Sequence, residues 1–256
     1  MKRILIGGIM LSLFACGGGE GDAGAGGDTT AGGAAPAAAA AGGGSVTGVV
    51  AFTGAPPANP TIDMSEEAVC QGKYATTPAD PVVMVTDGKL ANVIVYVKSG
   101  LPAGQSFPVP SAPAVIDQEG CLYHPRALAV MVGQALQIKN SDAVLHNIKA
   151  VPTKNRGFNI SQPRAGMTTE RTFTTEEVTV PLECNVHGWM HANVAVFSHP
   201  FFASTGPDGS FTISGLPAGT YEIEARHETL GSKTMSVTVP ASGSAPANFT
   251  FAATTS

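Results

Sequence analysis

The chain has 256 residues, of which 31 are Gly, four are Cys and 13% are charged, so it is long enough for one or two domains with a buried core. The formal net charge is -5 and no run of Lys or Arg occurs, which argues against a nucleic-acid partner because phosphate binding needs a basic face. Four Cys are also too few for a disulfide-dense scaffold.

Residues 1–16 have the pattern of an export signal. Two basic residues precede the apolar run Ile4–Ala15, which is shorter than the roughly 20 residues needed to span a bilayer. The segment Leu13-Phe14-Ala15-Cys16 resembles the lipobox of bacterial lipoproteins, in which the Cys carries lipid and becomes the mature N-terminus. This resemblance implies a lipid anchor on Cys16 at the bacterial cell envelope. By resemblance to enterobacterial lipoprotein sorting, Gly17 in place of Asp implies the outer membrane, facing the periplasm or the cell surface. An ordinary export signal with an incidental Cys is the alternative.

Residues 17–44 have the composition of a disordered tether. They contain 12 Gly and no aromatic or large aliphatic residue, so they cannot bury enough apolar surface to offset the entropy of ordering. A flexible chain of this length has a root-mean-square reach on the order of 30 Å. We therefore expect this segment to hold the folded part of the protein clear of a lipid surface.

From Ser45 onward, the sequence predicts an all-β fold. Short segments alternate between apolar and polar residues and are separated by Gly, Pro, Asn and Asp. The predicted strands are residues 46–53, 91–98, 135–140, 144–150, 177–183, 193–198, 210–214, 220–226, 234–239 and 247–252. Only residues 65–71 are expected to form a turn or two of helix. Because 212 residues are too many for one small β-sandwich, we expect two.

The residues with metal chemistry concentrate between two predicted strands. Cys184, His187 and Met190 offer a thiolate, an imidazole and a thioether within seven residues. Two His, one Cys and a weak axial Met form the donor set of electron-transfer copper sites. His146, near the start of another predicted strand, is the candidate for the second imidazole. Taken singly, Cys184 is better explained as a buried thiol and Met190 as a packing residue. Together these residues predict one copper site of type 1.

Residues 105–198 resemble the cupredoxins, the blue copper proteins. The resemblance rests on Cys121–Pro125, Val132-Gly133, Asn140–Asp142, His146-Asn147 and the C-x-x-H-x-x-M spacing from Cys184 to Met190, which matches amicyanin. It implies a Greek-key β-sandwich in which His146, Cys184 and His187 are the strong ligands and Met190 is the axial one.

The same resemblance assigns roles to two residues near the ligands. Asn147 is implied to brace the Cys loop by hydrogen bonds. Gly188-Trp189 stands where the family has a Pro-aromatic pair, so the aromatic cover is retained but the stiffening Pro is replaced by Gly. Trp189 either covers the site and assists electron exchange or simply packs there.

The remaining His and Cys residues are assigned other roles. The histidines interpreted as surface or packing residues are His124, His191, His199 and His227. With Cys16 assigned to lipid and Cys184 to copper, Cys70 and Cys121 remain, and a disulfide is expected in an oxidising envelope. Two free thiols are the alternative.

The C-terminal region resembles the carboxypeptidase regulatory-like, transthyretin-like β-sandwich. Residues 208–213 have the pattern D-G-x-F-x-I, and residues 216–223 have L-P-x-G-x-Y-x-I. Gly48–Gly54 and Leu90–Val97 look like the first two strands of that module. The resemblance implies a scaffold without peptidase residues. We expect its parts to be residues 45–104 and 199–256, with the cupredoxin-like domain, residues 105–198, inserted between them. A tandem arrangement is the alternative.

The surroundings of the metal motif favour electron transfer over catalysis. Multicopper oxidases and copper nitrite reductases place His beside the electron-transfer Cys, whereas Cys184 is flanked by Glu183 and Asn185. A binuclear copper centre needs two Cys in the loop, and only Cys184 is present. The sequence therefore predicts a non-enzymatic one-electron carrier whose partners are redox proteins such as cytochromes. Copper storage or sensing is one alternative, and a structural or adhesive role is another.

Overall fold

The computed structural model describes residues 43–253 and confirms the all-β prediction. Within this range there are 19 strands and one short helix, α1 (Ala68–Gln71), which lies inside the predicted helical turn. No helix of the described part is long and apolar enough to cross a membrane. The predicted export signal, the lipid site at Cys16 and the tether as far as residue 42 lie outside the described residues.

The strands fall into three consecutive groups. The first comprises β1 (Gly44–Thr53), β2 (Val85–Thr86), β3 (Lys89–Leu90) and β4 (Ile94–Ser99). The second comprises β5 (Ala114–Glu119), β6 (Leu122–His124), β7 (Ala127–Met131), β8 (Leu136–Asn140), β9 (His146–Ala150), β10 (Phe158–Gln162), β11 (Thr168–Arg171), β12 (Glu177–Glu183) and β13 (His191–Phe197). The third comprises β14 (Phe202–Ser204), β15 (Ser210–Leu216), β16 (Gly219–His227), β17 (Gly231–Val239), β18 (Ser244–Pro246) and β19 (Phe249–Ala252).

Strands β5–β13 form what we call the inner sandwich. One sheet has the order β10-β9-β12-β13-β7 and the other has the order β11-β8-β5-β6. The β13–β7 and β5–β8 pairs are parallel, so the chain crosses between the sheets rather than running as a simple meander. Apolar side chains from both sheets, such as Leu128, Ile138 and Val194, are fully buried between them. This core fixes the strand ends that carry the predicted ligands.

The first and third groups together form the outer sandwich. One sheet has the order β15-β1-β3-β2, with β18 and β19 also paired to β1, and the other has the order β14-β4-β16-β17. A separate core of Val, Phe, Leu and Ile side chains, including Val50, Ile223 and Phe251, fills the space between the sheets. The chain leaves this sandwich after β4 and returns in β14, which pairs directly with β4.

The two sandwiches contact each other through a third apolar cluster. Tyr96 of β4 and Phe202 of β14 pack with Met131 of β7 and Phe197 of β13. At the edge of this contact, Arg126 of the inner sandwich forms ion pairs with Asp80 and Glu228. Along the chain, β5–β13 lie between β4 and β14. The insertion of one domain into the other, with boundaries at residues 104/105 and 198/199, stays a prediction.

One residue assigned to the tether belongs to the folded part. Gly44 is the first residue of β1, where it pairs with Leu216. A Cβ atom at this position would lie 2.4 Å from the carbonyl oxygen of Pro240, so the close approach of two backbones requires Gly. Composition alone assigned Gly44 to the Gly-rich tether, although this Gly has a packing role.

Candidate metal centre

Neighbouring strands bring the predicted ligands to one end of the inner sandwich. His146 is the first residue of β9, and Cys184 follows the last residue of β12. These two strands are antiparallel neighbours, with Glu183 opposite Lys149. The end of β12 pairs with the end of β9, so the residues after Glu183 run back along β9 toward His146, which accounts for the proximity of two residues 38 positions apart in the sequence.

The loop from Cys184 to Met190 folds into a compact turn. The backbone N–H of Met190 donates to the carbonyl oxygen of His187 at 2.9 Å, and that of Cys184 donates to the carbonyl of Met190 at 3.2 Å. The backbone N–H of His187 donates to Cys184 Sγ at 3.3 Å. These bonds keep all three predicted loop ligands close together, and Met190, which is fully buried, packs in the same apolar cluster as Cys184.

Two imidazole rings and a thiol face one another in the interior. The Nδ1 atoms of His146 and His187 are 2.9 Å apart. Cys184 Sγ and one nitrogen from each ring all lie within 4.8 Å of one another. The exposed fractions are 0% for His146, 4% for Cys184 and 2% for His187. The structure therefore brings together His146, Cys184 and His187, the three residues that the sequence assigned as strong ligands.

Asp142 fixes the orientation of His146. Asp142 Oδ2 accepts a hydrogen bond from His146 Nε2 at 2.8 Å, and both side chains are fully buried. Burial raises the pKa of Asp142, but hydrogen bonds from His146, Lys73 and the backbone of Cys121 outweigh it and hold that pKa well below the ordinary value. A carboxylate can only accept here, so His146 carries its proton on Nε2 and presents the Nδ1 lone pair to the site.

The surroundings of Cys184 favour a thiolate. Burial raises the pKa of Cys184, but the imidazoles of His146 and His187 beside its sulfur, together with the backbone of Asn147 and His187, lower it to about 5. The Asn147 side chain also accepts a hydrogen bond from the backbone N–H of Asn185, which ties the loop to β9. Tyr123 donates its hydroxyl to the carbonyl of Asn147 at 2.5 Å and holds this residue from the other side.

These residues fit a single copper ion. Two imidazole lone pairs directed at each other would repel, and a cation or a shared proton between them removes that repulsion. A thiolate, two imidazoles and a buried thioether are the soft donors that copper prefers, while hard cations prefer oxygen ligands. Asp142, the nearest carboxylate, is directed at the opposite nitrogen of His146, so the facing donors are nitrogen and sulfur.

Cys70 and Glu67, which the sequence analysis did not link to the site, cover the far side of His187. Its Nε2 lies 4.0 Å from Cys70 Sγ and 3.7 Å from Glu67 Oε2. Cys70 is joined to Cys121 in a disulfide, the pairing that the sequence favoured. The Trp189 ring lies 5.0 Å from the His187 ring, and its indole N–H donates to the carbonyl of Cys121 at 2.9 Å. Trp189 therefore packs against the site and also bonds to the disulfide loop.

The other histidines lie elsewhere. His124 is exposed, and His191 pairs with Glu183 at the start of β13 and lines a cleft beside Arg126. His199 and His227 are buried in the outer sandwich, where His199 Nε2 contacts the carbonyl oxygen of Val97 at 3.0 Å.

Sequence reasoning did not assign roles to Asp142, Glu67 or Lys73. For Asp142, the spacing of four residues from His146 was the available signal; the other two lie too far along the chain to give one.

One family model matches the C-terminal part of the chain. Residues 189–252 match the carboxypeptidase regulatory-like domain. This match confirms the resemblance seen in residues 208–223. It begins within the ligand loop, and so it also includes β13 of the inner sandwich. Comparison with curated proteins gives no significant match to the sequence.

Solved structures similar to the chain include copper proteins. A copper-containing nitrite reductase from Thermus scotoductus SA-01 is 18% identical over 40% of this chain and 26% of its own, with a TM-score of 0.31. The chain thus spans about a quarter of that enzyme. A purple cupredoxin from Nitrosopumilus maritimus is 26% identical over 32% of this chain and 98% of its own, with a TM-score of 0.29. A mutant of amicyanin in the Cu(I) state is 22% identical over 41% of this chain and 98% of its own, with a TM-score of 0.30.

Proposed function

We propose that this protein is a mononuclear copper protein that carries single electrons between redox partners. The observation that carries the proposal is the pair of buried Nδ1 atoms, 2.9 Å apart, beside the low-pKa thiol of Cys184. His146, His187 and Cys184 would hold the copper, with Met190 as the weak fourth ligand. Bound copper supplies a one-electron couple between Cu(I) and Cu(II).

The chain's own residues hold the donors still. Asp142 fixes the tautomer and the ring plane of His146, and Asn147 ties the loop to β9. The donors come from strand ends and a hydrogen-bonded turn that are anchored in the inner core. Donors held in one arrangement would move little when bound copper gains or loses one electron. A small rearrangement favours rapid electron exchange.

Electron transfer is favoured over catalysis by two features of the site. All four proposed ligands are nearly or fully buried, so the side chains show no open face for a substrate. The residues flanking Cys184, Glu183 and Asn185, lack the imidazoles that would connect a second copper centre. We also propose that the protein is anchored at the bacterial envelope, in the outer membrane, through lipid on Cys16, and that its partners are redox proteins such as cytochromes.

Titration of the metal-free protein with Cu(II) tests this function. We expect one equivalent of copper to give an intense visible thiolate-to-copper band and a reversible one-electron wave in voltammetry. Cys184→Ser should abolish the band and lower copper affinity at least 100-fold. His191→Ala is the matched control, because His191 follows Met190 directly but pairs with Glu183 outside the site, and it should leave both signals unchanged.

Other outcomes would identify the alternatives. A colourless Cu(I) complex without a reversible wave would replace electron transfer by copper storage or sensing. An unchanged band in Cys184→Ser would refute the ligand assignment. Metal-independent binding to polymers, with no copper bound, would support an adhesive role for the outer sandwich.

A further inference from the structure

A short segment before the inner sandwich closes the outer edge of the metal centre. Residues 61–74, which we call the cap, include α1 and reach the His187 ring through Glu67 and Cys70. The contact to Cys70 joins residues 117 positions apart in the sequence. As a result, the Nε2 edge of His187 faces protein rather than solvent, and the residue is only 2% exposed.

The cap is fastened to the inner sandwich at three points. The disulfide joins Cys70 to Cys121, in the turn between β5 and β6. Lys73 forms an ion pair with Asp142 at 2.7 Å, and the hydroxyl of Tyr74 donates to the carbonyl of Gly120 at 2.6 Å. Gly120 has a φ of +64°, and a Cβ atom there would lie 2.6 Å from the Tyr74 hydroxyl, so this turn is shaped to receive the cap.

The cap also has its own apolar core. Ile62, Met64, Cys70 and Cys121 are buried together, with exposed fractions between 0 and 4%. Trp189 and Val144 pack against this cluster. Trp189 is two residues after His187 and Val144 is two residues before His146, so the cluster rests on the segments that carry both imidazole ligands.

Asp142 connects the cap with the ligand set. Its Oδ1 accepts from Lys73 and from the backbone N–H of Gly120, and its Oδ2 accepts from the backbone N–H of Cys121 and from His146. The carboxylate that orients His146 therefore also binds the cap and the disulfide turn. Movement of the cap away from the sandwich would break contacts on both sides of this carboxylate.

We infer that the cap is a specificity element, held closed by the Cys70–Cys121 disulfide, that denies small exogenous ligands access to the metal centre. This inference rests on the proposed function for the identity of the metal, whereas the shielding of His187 is a property of the chain itself. With the cap closed, azide, cyanide and comparable anions cannot reach the donors through the His187 side. The site is then restricted to electron exchange through intervening protein.

Chemical modification of the metal-free protein tests the cap directly. Diethyl pyrocarbonate acylates accessible imidazoles, and peptide mapping gives a rate for each histidine. In the full-length protein, we expect His187 to react at least tenfold more slowly than the exposed His124. A His187 rate equal to that of His124 would overturn the inference.

Two variants show whether the cap itself provides the shielding. In the double variant Cys70→Ser/Cys121→Ser, the His187 rate should rise at least tenfold, while the rate of His199, buried in the outer sandwich, stays unchanged and so reports an intact fold. Glu67→Ala keeps the disulfide but removes the carboxylate nearest to His187 Nε2, and a rise of several-fold is expected. Glu66→Ala, an exposed neighbouring carboxylate, is the matched control and should have no effect. If neither cap variant accelerates His187, the cap is not the shield.

A measurement on the copper-loaded protein separates this inference from the proposed function. Azide should leave the visible band of the wild type unchanged and should shift it in Glu67→Ala. A band in the wild type that shifts with azide would refute the closed cap while leaving electron transfer intact. Slow modification of His187 in a protein that never develops the band would leave the cap standing and refute the proposed function.

Discussion

Both sandwiches bury some polar side chains, His227 and Glu224 among them in the outer one, but they differ in how these side chains are grouped. The core of the outer sandwich is built from Val, Leu, Ile, Phe and other apolar residues that fill the space between two sheets. The inner sandwich has a similar apolar core, but at one end it adds Asp142, His146, Asn147 and His187, all nearly or fully buried. An unpaired buried polar group costs about 1–3 kcal/mol. In the inner sandwich Asp142 and Asn147 have hydrogen-bond partners, so their burial is tolerated. The polar groups are collected at the end of the sandwich that carries the proposed site.

The largest expected effect tests the outer sandwich as a support. Phe251→Ala removes a side chain that is 1% exposed in the outer core, and it should lower the free energy of unfolding by about 3–5 kcal/mol. The visible copper band of the folded protein should not move. Urea unfolding followed by circular dichroism, together with the visible spectrum, provides the measurement.

The matched substitution in the inner sandwich is Leu182→Ala. Leu182 is fully buried and lies two residues before Cys184. We expect a comparable loss of stability together with a displaced or broadened copper band. If Phe251→Ala displaces the visible band as much as Leu182→Ala does, the outer core also shapes the site. That result would contradict the proposed division between a supporting sandwich and a site-bearing one.

A smaller effect is expected from the buried carboxylate. Asp142→Asn keeps an acceptor for His146 but loses the charge that pairs with Lys73. Loss of such a partner of a metal ligand lowers metal affinity by roughly 10–100-fold. Competition with a copper chelator measures the change. Asp208→Asn, in an exposed turn of the outer sandwich, is the control, and a matching loss there would show that the effect is not specific to the site.

The outer sandwich should show its own pH dependence through His227. Burial lowers the pKa of His227, and the charge of Arg126 lowers it further, from 6.5 to about 4. Between these values the unfolded chain binds the proton and the folded one does not. Stability is therefore lost as the pH falls through this window, by up to about 1.4 kcal/mol per pH unit.

Urea unfolding at several pH values between 7.5 and 4.5 tests this prediction. In the wild type, Nδ1 of His227 accepts a hydrogen bond from the backbone N–H of Thr229. His227→Asn supplies an acceptor near that position but does not titrate, so it should flatten the pH dependence. His124→Asn, at an exposed histidine, should leave the curve unchanged. A wild-type curve that is already flat between pH 6.5 and 4.5 would contradict the assignment.

The smallest effect is expected at the surface near the site. Lys149 of β9 lies 3.4 Å from Glu183, and about 40% of each side chain is exposed. Solvent screens such a pair, so Lys149→Ala should change the free energy of unfolding by less than about 1 kcal/mol. The copper band should not change, although Lys149 is only three residues from His146. A clear shift would show that the site extends to the surface of β9.

Local sequence patterns predicted the strands in which apolar and polar residues alternate. All ten predicted strands are present within a few residues, because alternation reports a strand with one buried face. β7 (Ala127–Met131) was missed because all five of its residues are buried, so alternation is lost. β11 was missed for the opposite reason, since its residues are mostly exposed.

The same distinction applies to the candidate site. The spacing of Cys184, His187 and Met190 within one loop is a local pattern. The structure brings Cys184 and His187 together with His146, and Met190 packs in the same apolar cluster as Cys184. The cap over His187 depends on contacts between residues more than 100 positions apart, and no local pattern in residues 61–74 indicates what they cover. The role of Asp142 likewise appears only when Lys73, Gly120 and Cys121 converge on it.

The position of β1 has a mechanical consequence. The described chain enters the fold through this strand, which pairs with β15 and β3 on one hand and with β18 and β19 on the other. A pull on the N-terminus along β1 must break many of these backbone hydrogen bonds at once, because the load runs along the strand and acts across the whole ladder. Such a force would be borne by the outer sandwich, while the strands that carry the proposed copper ligands stay outside the loaded path.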